Sequence, residues 1–120
     1  MSTLKSHLDL DVWKISIDFV IDLYKVTNMF PKKEKFGLSL QLRRAGVSIS
    51  SNIAEGAARF HEKEFVQFLY ISLGSVAEVE TQLEIAIRLG YIKSINLEKA
   101  KLDRIRKILI GLIKQVRGDR

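Results

Sequence analysis

Apolar residues recur at helical spacing in four separate segments of this 120-residue chain. The segments cover approximately residues 11–29, 36–60, 62–89 and 96–117, and short links join them. No stretch alternates apolar and polar residues as a β-strand does, and there is no internal repeat. We therefore predict one all-α domain over residues 1–120, folded as an antiparallel up-down four-helix bundle.

Each segment carries a face that we expect to be buried in the core. Pro31 ends the first segment, and Gly90 follows the third as a left-handed stop. Asn96 is a suitable N-cap for the fourth segment, which ends before Gly118. The predicted core positions are Leu38, Leu42, Ala45, Ile49, Ile53 and Phe60 in the second segment; Phe65, Phe68, Leu69, Ser72, Val76, Val79, Leu83, Ala86 and Ile87 in the third; and Leu102, Ile105, Ile108, Leu109, Leu112, Ile113 and Val116 in the fourth.

The first segment has two apolar faces, separated by a narrow polar stripe. One face consists of Val12, Ile15, Phe19, Leu23 and Val26, and the other of Leu10, Trp13, Ile17, Val20, Ile21 and Tyr24. A surface helix of a monomeric bundle needs only one such face. The second face therefore predicts burial against another subunit, and the alternative is a helix that lies centrally within its own fold.

The second segment is rich in small residues. Between residues 45 and 58, nine of fourteen positions are Gly, Ala or Ser. Gly46 and Gly56 each lower helix propensity by about 1 kcal/mol relative to Ala, which predicts the close approach of a neighbouring helix. Asn52 and Glu55 need hydrogen-bond partners if packing covers them, and we expect these on another helix, because Arg43 and Arg44 lie about two to three turns away on the same segment. We interpret four residues as a structural polar cluster that fixes helix register: Arg43, Arg44, Asn52 and Glu55.

The net charge is +6, and positive charge is concentrated in residues 32–61 and 93–120. Clustered Lys and Arg bind phosphate, although basic residues can also simply solvate exposed faces. Most aromatic residues fall on predicted core faces, so we expect neither base stacking nor sequence readout. The candidate nucleic-acid-binding residues are Lys99, Arg106, Lys107, Lys114 and Arg117 on the fourth segment, with Lys32, Lys33 and Lys35 as a second patch.

The chain lacks the residues on which most catalytic and metal sites depend. It has no cysteine, and its only histidines are His7 and His61. No phosphate-binding loop, nucleophile elbow or catalytic carboxylate pair is present. We therefore predict no enzyme activity, no metal and no cofactor. Acidic residues near the N-terminus do not fit a signal peptide, and no apolar run is long enough to cross a membrane, so we expect a cytoplasmic protein.

The residues from Leu42 to Ile92 carry a resemblance to a known family. The matching motifs are Leu42-Arg43-Arg44-Ala45, Ser51-Asn52-Ile53-Ala54-Glu55-Gly56, Glu64-Phe65 with Phe68-Leu69, Gly74-Ser75 and Leu89-Gly90-Tyr91. This stretch resembles the 23S rRNA intervening-sequence proteins, which are four-helix bundles. The chain departs from the family pattern at Gly46, where the family usually has Ala, and at Ser50, where it often has Pro.

The resemblance implies a bacterial protein that assembles as a ring-shaped homopentamer and has no established enzymatic activity. Related accessory proteins of diversity-generating retroelements bind nucleic acid. We therefore expect a non-catalytic, basic homo-oligomer that binds structured RNA or a ribonucleoprotein through phosphate contacts. The alternative is a protein-binding scaffold whose basic face docks an acidic partner and which has no nucleic-acid role.

Overall fold

The computed structural model describes His7 and residues 10–118, and within them it contains four α-helices. They are α1 (Asp11–Thr27), α2 (Leu38–Ala58), α3 (Glu62–Arg88) and α4 (Asn96–Arg117). A 3₁₀ helix at Lys32–Glu34 lies in the link between α1 and α2. The helices therefore fall within the four segments that the apolar periodicity predicts, and both predicted ends of the domain, residues 1 and 120, lie outside the described residues.

Each helix packs against two others. α2 lies between α1 and α3, α4 closes the bundle against α3 and α1, and the α2–α3 contact is the most extensive. Leu23 and Thr27 of α1 lie beside Gly46 and Arg43 of α2, respectively, so the two helices run past each other in opposite directions. These contacts are compatible with the predicted antiparallel up-down order. The bundle measures 47 × 25 × 19 Å.

The core consists of the faces that the periodicity marks as apolar. Phe19 and Leu23 of α1 are buried with the predicted core residues of the other helices, and Phe68, Ile87, Ile108 and Leu112 are partly buried at its margin. Phe60 is the exception. It lies beyond the end of α2 with a positive φ of 53°, and its side chain is 66% exposed. The chain turns between α2 and α3 at this residue, so the ring is carried away from the core face that its spacing predicts.

The small residues of α2 allow α3 to approach closely, as the sequence predicts. A Cβ atom added at Gly56 would lie 2.7 Å from Cβ of Phe68 and 3.3 Å from the backbone oxygen of Phe65. Hydroxyl groups also join the two helices. Ser72 Oγ donates a buried 2.9 Å hydrogen bond to the carbonyl oxygen of Ile49 on α2. Glycine and serine therefore serve the same contact, one by removing bulk and the other by satisfying buried polar atoms.

The helix ends follow the sequence only in part. Gly90 and Gly118 adopt left-handed φ angles of 79° and 76°, as expected of glycines that follow a helix. Asn96, which we predicted as the N-cap of α4, is instead its first helical residue, and Ile95 precedes it without a side-chain cap. Glu34 was not predicted as a cap, yet its Oε1 accepts a 3.0 Å hydrogen bond from the backbone N–H of Leu38 at the start of α2.

Candidate nucleic-acid interface

Several basic residues are exposed on the outer side of α4. Lys107 and Lys114 are exposed two turns apart and form no ion pair with any described residue. Arg104 is also exposed and unpaired among the described residues, although it lies outside the predicted basic stripe, which consists of Lys99, Arg106, Lys107, Lys114 and Arg117. It precedes Lys107 by three residues, a spacing that places the two side chains on neighbouring positions of the helix surface.

Arg106 has a different environment from the lysines of the stripe. Its guanidinium group donates hydrogen bonds to the carboxylates of Glu80 on α3 and Asp103 on α4, the latter at 2.6 Å. The side chain is only 32% exposed. The hydrogen bond that Arg106 donates to Glu80 is the main reason why the pKa of Arg106 lies above its ordinary value. This arginine joins α3 to α4, and its charge is already neutralised by two carboxylates.

Lys99 and Arg117 lie on the side of α4 that leans toward α3. Lys99 is exposed, and it lines a cavity of about 490 Å³ together with Glu80, Glu84 and Arg88 of α3. Arg117 donates a 3.2 Å hydrogen bond to the hydroxyl of Tyr70. The structure therefore separates the predicted stripe into an outward-facing part, Lys107 and Lys114, and a part beside α3, of which Arg106 and Arg117 bond to that helix.

The second basic patch lies in the link between α1 and α2. Lys32, Lys33 and Lys35 are all exposed, and none forms an ion pair with a described residue. Glu34 is turned inward. Its Oε2 accepts a 2.7 Å hydrogen bond from the hydroxyl of Tyr91, while Oε1 caps α2. The amide of Leu38 and the hydroxyl of Tyr91 together lower the pKa of Glu34, so the carboxylate stays charged but is occupied within the fold.

An apolar surface extends across the outer sides of α1 and α2. Ile17, Ile21 and Tyr24 of α1 are exposed, with Ile21 at 53%, and Val47 of α2 is exposed beside them. Tyr24 and Val47 line the same shallow depression. The three α1 residues belong to the second apolar face of the first segment. Within this chain that face is covered only in part, as a face that contacts another subunit would be.

Residues 8–111 match the family model for the 23S rRNA-intervening sequence protein, that is, most of the chain. The chain belongs to the 23S rRNA-intervening sequence protein family. The family that the motifs suggested is thereby confirmed.

A solved structure is similar over most of both chains. It is the 1.70 Å crystal structure of a protein with unknown function, from the S23 ribosomal protein family of Bacteroides thetaiotaomicron VPI-5482. It superposes on this family member with a TM-score of 0.76 at 30% identity, and the match covers 86% of this chain and 98% of the other. No curated protein gives a significant match. Neither the family nor this structure is known for catalysis.

The motif residues of the family that we interpreted as one polar cluster do not bond to one another. Arg43 donates 2.8 Å hydrogen bonds to Thr27 Oγ1 and Asn28 Oδ1 of the segment before α2, and its guanidinium carbon lies 4.4 Å from the centre of the Tyr24 ring. The other members bond locally or not at all: Asn52 to Ser48, Glu55 to Arg59, and Arg44 to no described residue. Of these four residues, only Arg43 therefore bonds directly to another helix. Our expectation that Asn52 and Glu55 find partners on another helix is wrong: Glu55 is exposed, and both bond to residues on α2 or directly after it.

Two further properties bear on the kind of site that this family member can hold. Among His7 and residues 10–118, no three His, Cys, Asp or Glu side chains are grouped as a metal site would require. None of the helices in this part of the chain is both long and apolar enough to cross a membrane.

Proposed function

We propose that this family member is a non-catalytic, self-associating helical bundle that binds structured RNA or a ribonucleoprotein through phosphate groups. The observation that carries this function is the outward-facing pair Lys107 and Lys114, which no carboxylate of the described residues neutralises. An unpaired lysine contributes more binding free energy to a phosphate contact than a lysine that is already held in an ion pair. The reason is that phosphate binding then releases counterions without breaking a contact within the protein.

The contributions of the predicted contact residues differ. We assign the main phosphate contacts to Lys107 and Lys114, and we add Arg104 to them. Lys32, Lys33 and Lys35 remain a second contact region at the link between α1 and α2. Arg106 contributes little, because Glu80 and Asp103 hold its guanidinium group. Lys99 and Arg117 stay in the proposed set at the margin of the exposed face.

Self-association is the second part of the proposed function. The exposed residues Ile17, Ile21 and Tyr24 of α1, together with Val47 of α2, support it, because burying them in another subunit removes apolar surface from water. We propose a second copy of this chain as the partner and keep the homopentamer that the family resemblance implies. We also keep the antiparallel up-down order, with which the contacts between the helices are compatible.

The test compares two double variants that each remove two lysine charges. Lys107→Gln with Lys114→Gln changes the proposed contacts, and Lys14→Gln with Lys25→Gln is the matched control, because those lysines are exposed on α1 and unpaired among described residues. The probe is a fluorescein-labelled RNA hairpin, and affinity is measured by anisotropy at several salt concentrations. We expect the first variant to reduce the slope of log affinity against log salt by about two, and the control to change it less.

Two results would contradict the proposed function. Equal loss of affinity in both double variants would mean that total charge, and not the α4 face, governs binding. If wild-type protein binds RNA no better than it binds heparin, and a single protein copurifies in fixed ratio, the protein-binding scaffold replaces RNA binding.

A further inference from the structure

Phe36 is the most exposed large apolar residue of the described chain, with 81% of its surface open to solvent. It lies just before α2, in the same short link that carries Lys32, Lys33 and Lys35. A phenylalanine normally gains free energy by burying its ring, so a ring held almost fully in water is unfavourable unless a partner covers it. The sequence assigned most aromatic residues to the core, and Phe36 departs from that pattern.

The surroundings of Phe36 are strongly basic. The ammonium group of Lys35 lies 5.4 Å from the centre of the ring. Glu34 is the only acidic residue between Asp22 and Glu55, and its two carboxylate oxygens are occupied by Leu38 and Tyr91. The link that carries the ring therefore presents lysines to an anion, and its one carboxylate is already hydrogen-bonded within the fold. This combination of an exposed ring and neighbouring cations is typical of proteins that bind single-stranded nucleic acid.

A cleft lined by three cationic side chains adjoins the ring through Lys35. The cleft has a volume of about 390 Å³, and its lining contains three cations and no acidic residue: Thr27, Asn28, Phe30, Pro31, Lys32, Lys35, Ser39 and Arg43. Arg43 is held in place by Thr27 and Asn28, so its guanidinium group is a fixed positive charge beside the two exposed lysines. Such an arrangement suits a phosphate group, which accepts hydrogen bonds from several donors at once.

We propose, on the basis of the RNA binding proposed above, that this end of the bundle binds an unpaired nucleotide. Its base stacks on Phe36, and an adjacent phosphate enters the cleft beside Lys32, Lys35 and Arg43. Lys35 serves both groups, because it lines the cleft and lies near the ring. A base in a duplex is already stacked on its neighbours and offers no free face, so this site selects a loop, a bulge or a single-stranded end.

The experiment compares Phe36→Leu with Phe60→Leu in the full-length protein. Both residues are exposed phenylalanines at helix ends, and leucine keeps the apolar character while it removes the aromatic face. The probes are an oligouridylate of about 12 nucleotides, within the range of known single-strand site sizes, and an RNA duplex of similar length. We expect Phe36→Leu to weaken oligouridylate binding by roughly 5-fold to 10-fold and to leave duplex binding unchanged. Phe60→Leu should change neither.

Each other outcome has a definite meaning. Suppose that Phe36→Leu leaves the oligouridylate affinity unchanged while Lys107→Gln with Lys114→Gln still weakens duplex binding. This result overturns the stacking site alone. Absence of binding to both probes by the wild-type protein overturns the proposed function together with this inference. If native mass spectrometry finds a changed subunit number for Phe36→Leu, Phe36 is a contact for another subunit, and the site is overturned. If this variant sediments less with anionic vesicles at unchanged RNA affinity, Phe36 is a lipid contact, and the site is again overturned.

Discussion

The hydroxyl group of Tyr91 donates a 2.7 Å hydrogen bond to Oε2 of Glu34, which lies 57 residues earlier in the chain. The other oxygen of the same carboxylate caps the first turn of α2. The Phe30 and Tyr91 rings lie 5.5 Å apart beside this contact. Tyr91 belongs to the Leu89-Gly90-Tyr91 motif of the family, so the structure gives that motif a role. It connects the turn after α3 to the start of α2.

We predict that Glu34→Gln lowers stability at neutral pH. The variant should also lose less stability than the wild type as the pH is lowered. The amide of Leu38 and the hydroxyl of Tyr91 lower the pKa of Glu34 from its ordinary value of 4.5. A lowered pKa means that the charged carboxylate favours the folded state above that value, and that the contribution is lost as the pH falls through the lower folded pKa. The check is to measure the midpoint of urea unfolding by circular dichroism at several pH values between neutral and about pH 3.

Tyr91→Phe is the matched variant for the same contact. It removes the hydroxyl and keeps the ring, so we expect a lower urea midpoint at neutral pH than in the wild type. Adding Glu34→Gln to this variant should cost less than it costs in the wild-type protein, because the two residues share one hydrogen bond. Strictly additive effects would show that the bond contributes nothing to the folded state.

The two close-packed glycines of α2 should respond differently to alanine. A Cβ at Gly56 meets Cβ of Phe68, which cannot move without its helix, whereas a Cβ at Gly46 meets the flexible end of Leu23 at 2.6 Å. We expect Gly56→Ala to lower the free energy of unfolding by about 1–3 kcal/mol, as overpacking does. Gly46→Ala should stay within about 1 kcal/mol of the wild type, because the gain in helix propensity offsets a small side-chain shift. Urea unfolding checks both, and a larger loss at Gly46 would contradict the packing.

Ile21→Glu should dissociate the proposed assembly. The substitution places a charge on the exposed apolar surface of α1, where burial against another subunit would leave it unpaired. Ile110→Glu is the control, because Ile110 is an exposed isoleucine on α4, the side proposed to face RNA. Native mass spectrometry should find monomers for the first variant and the wild-type subunit number for the second. The reverse result would place the subunit contact on α4.

Glu80→Gln should detach Arg106 from α3, leave Asp103 as its remaining carboxylate partner, and strengthen RNA binding. The substitution removes the carboxylate that pairs with Arg106 across α3 and α4, and we expect a loss of stability of about 0.5–1 kcal/mol, as for partly exposed ion pairs. Glu84→Gln makes the same change of net charge, but Glu84 pairs with Arg88 on its own helix. Anisotropy titrations with an RNA hairpin should show a larger gain in affinity for Glu80→Gln. Equal gains would mean that net charge alone sets the affinity.

The sequence predicted the four helices and most of the core, because both depend on local geometry. Side chains three and four residues apart share a helix face whatever the helix packs against, so Leu42, Ile49 and Ile53 could be assigned to the core from their spacing. Gly90 could likewise be assigned as a helix stop, because only glycine adopts a left-handed conformation without strain. Phe60 could not be placed in this way, because its position depends on a turn outside the helix.

The candidate site required the tertiary structure. The spacing of Arg106 puts it in a basic stripe with Lys107 and Lys114, and no feature of α4 reveals that Glu80, 26 residues away, neutralises it. The same holds for Glu34 and Tyr91, and for the exposure of Phe36 beside a cleft that Arg43 completes. Such contacts depend on how neighbouring helices are rotated and shifted along one another. The sequence by itself thus determined which residues form helices and which helix faces are apolar, whereas tertiary packing decided which charges are neutralised and which are left for a partner.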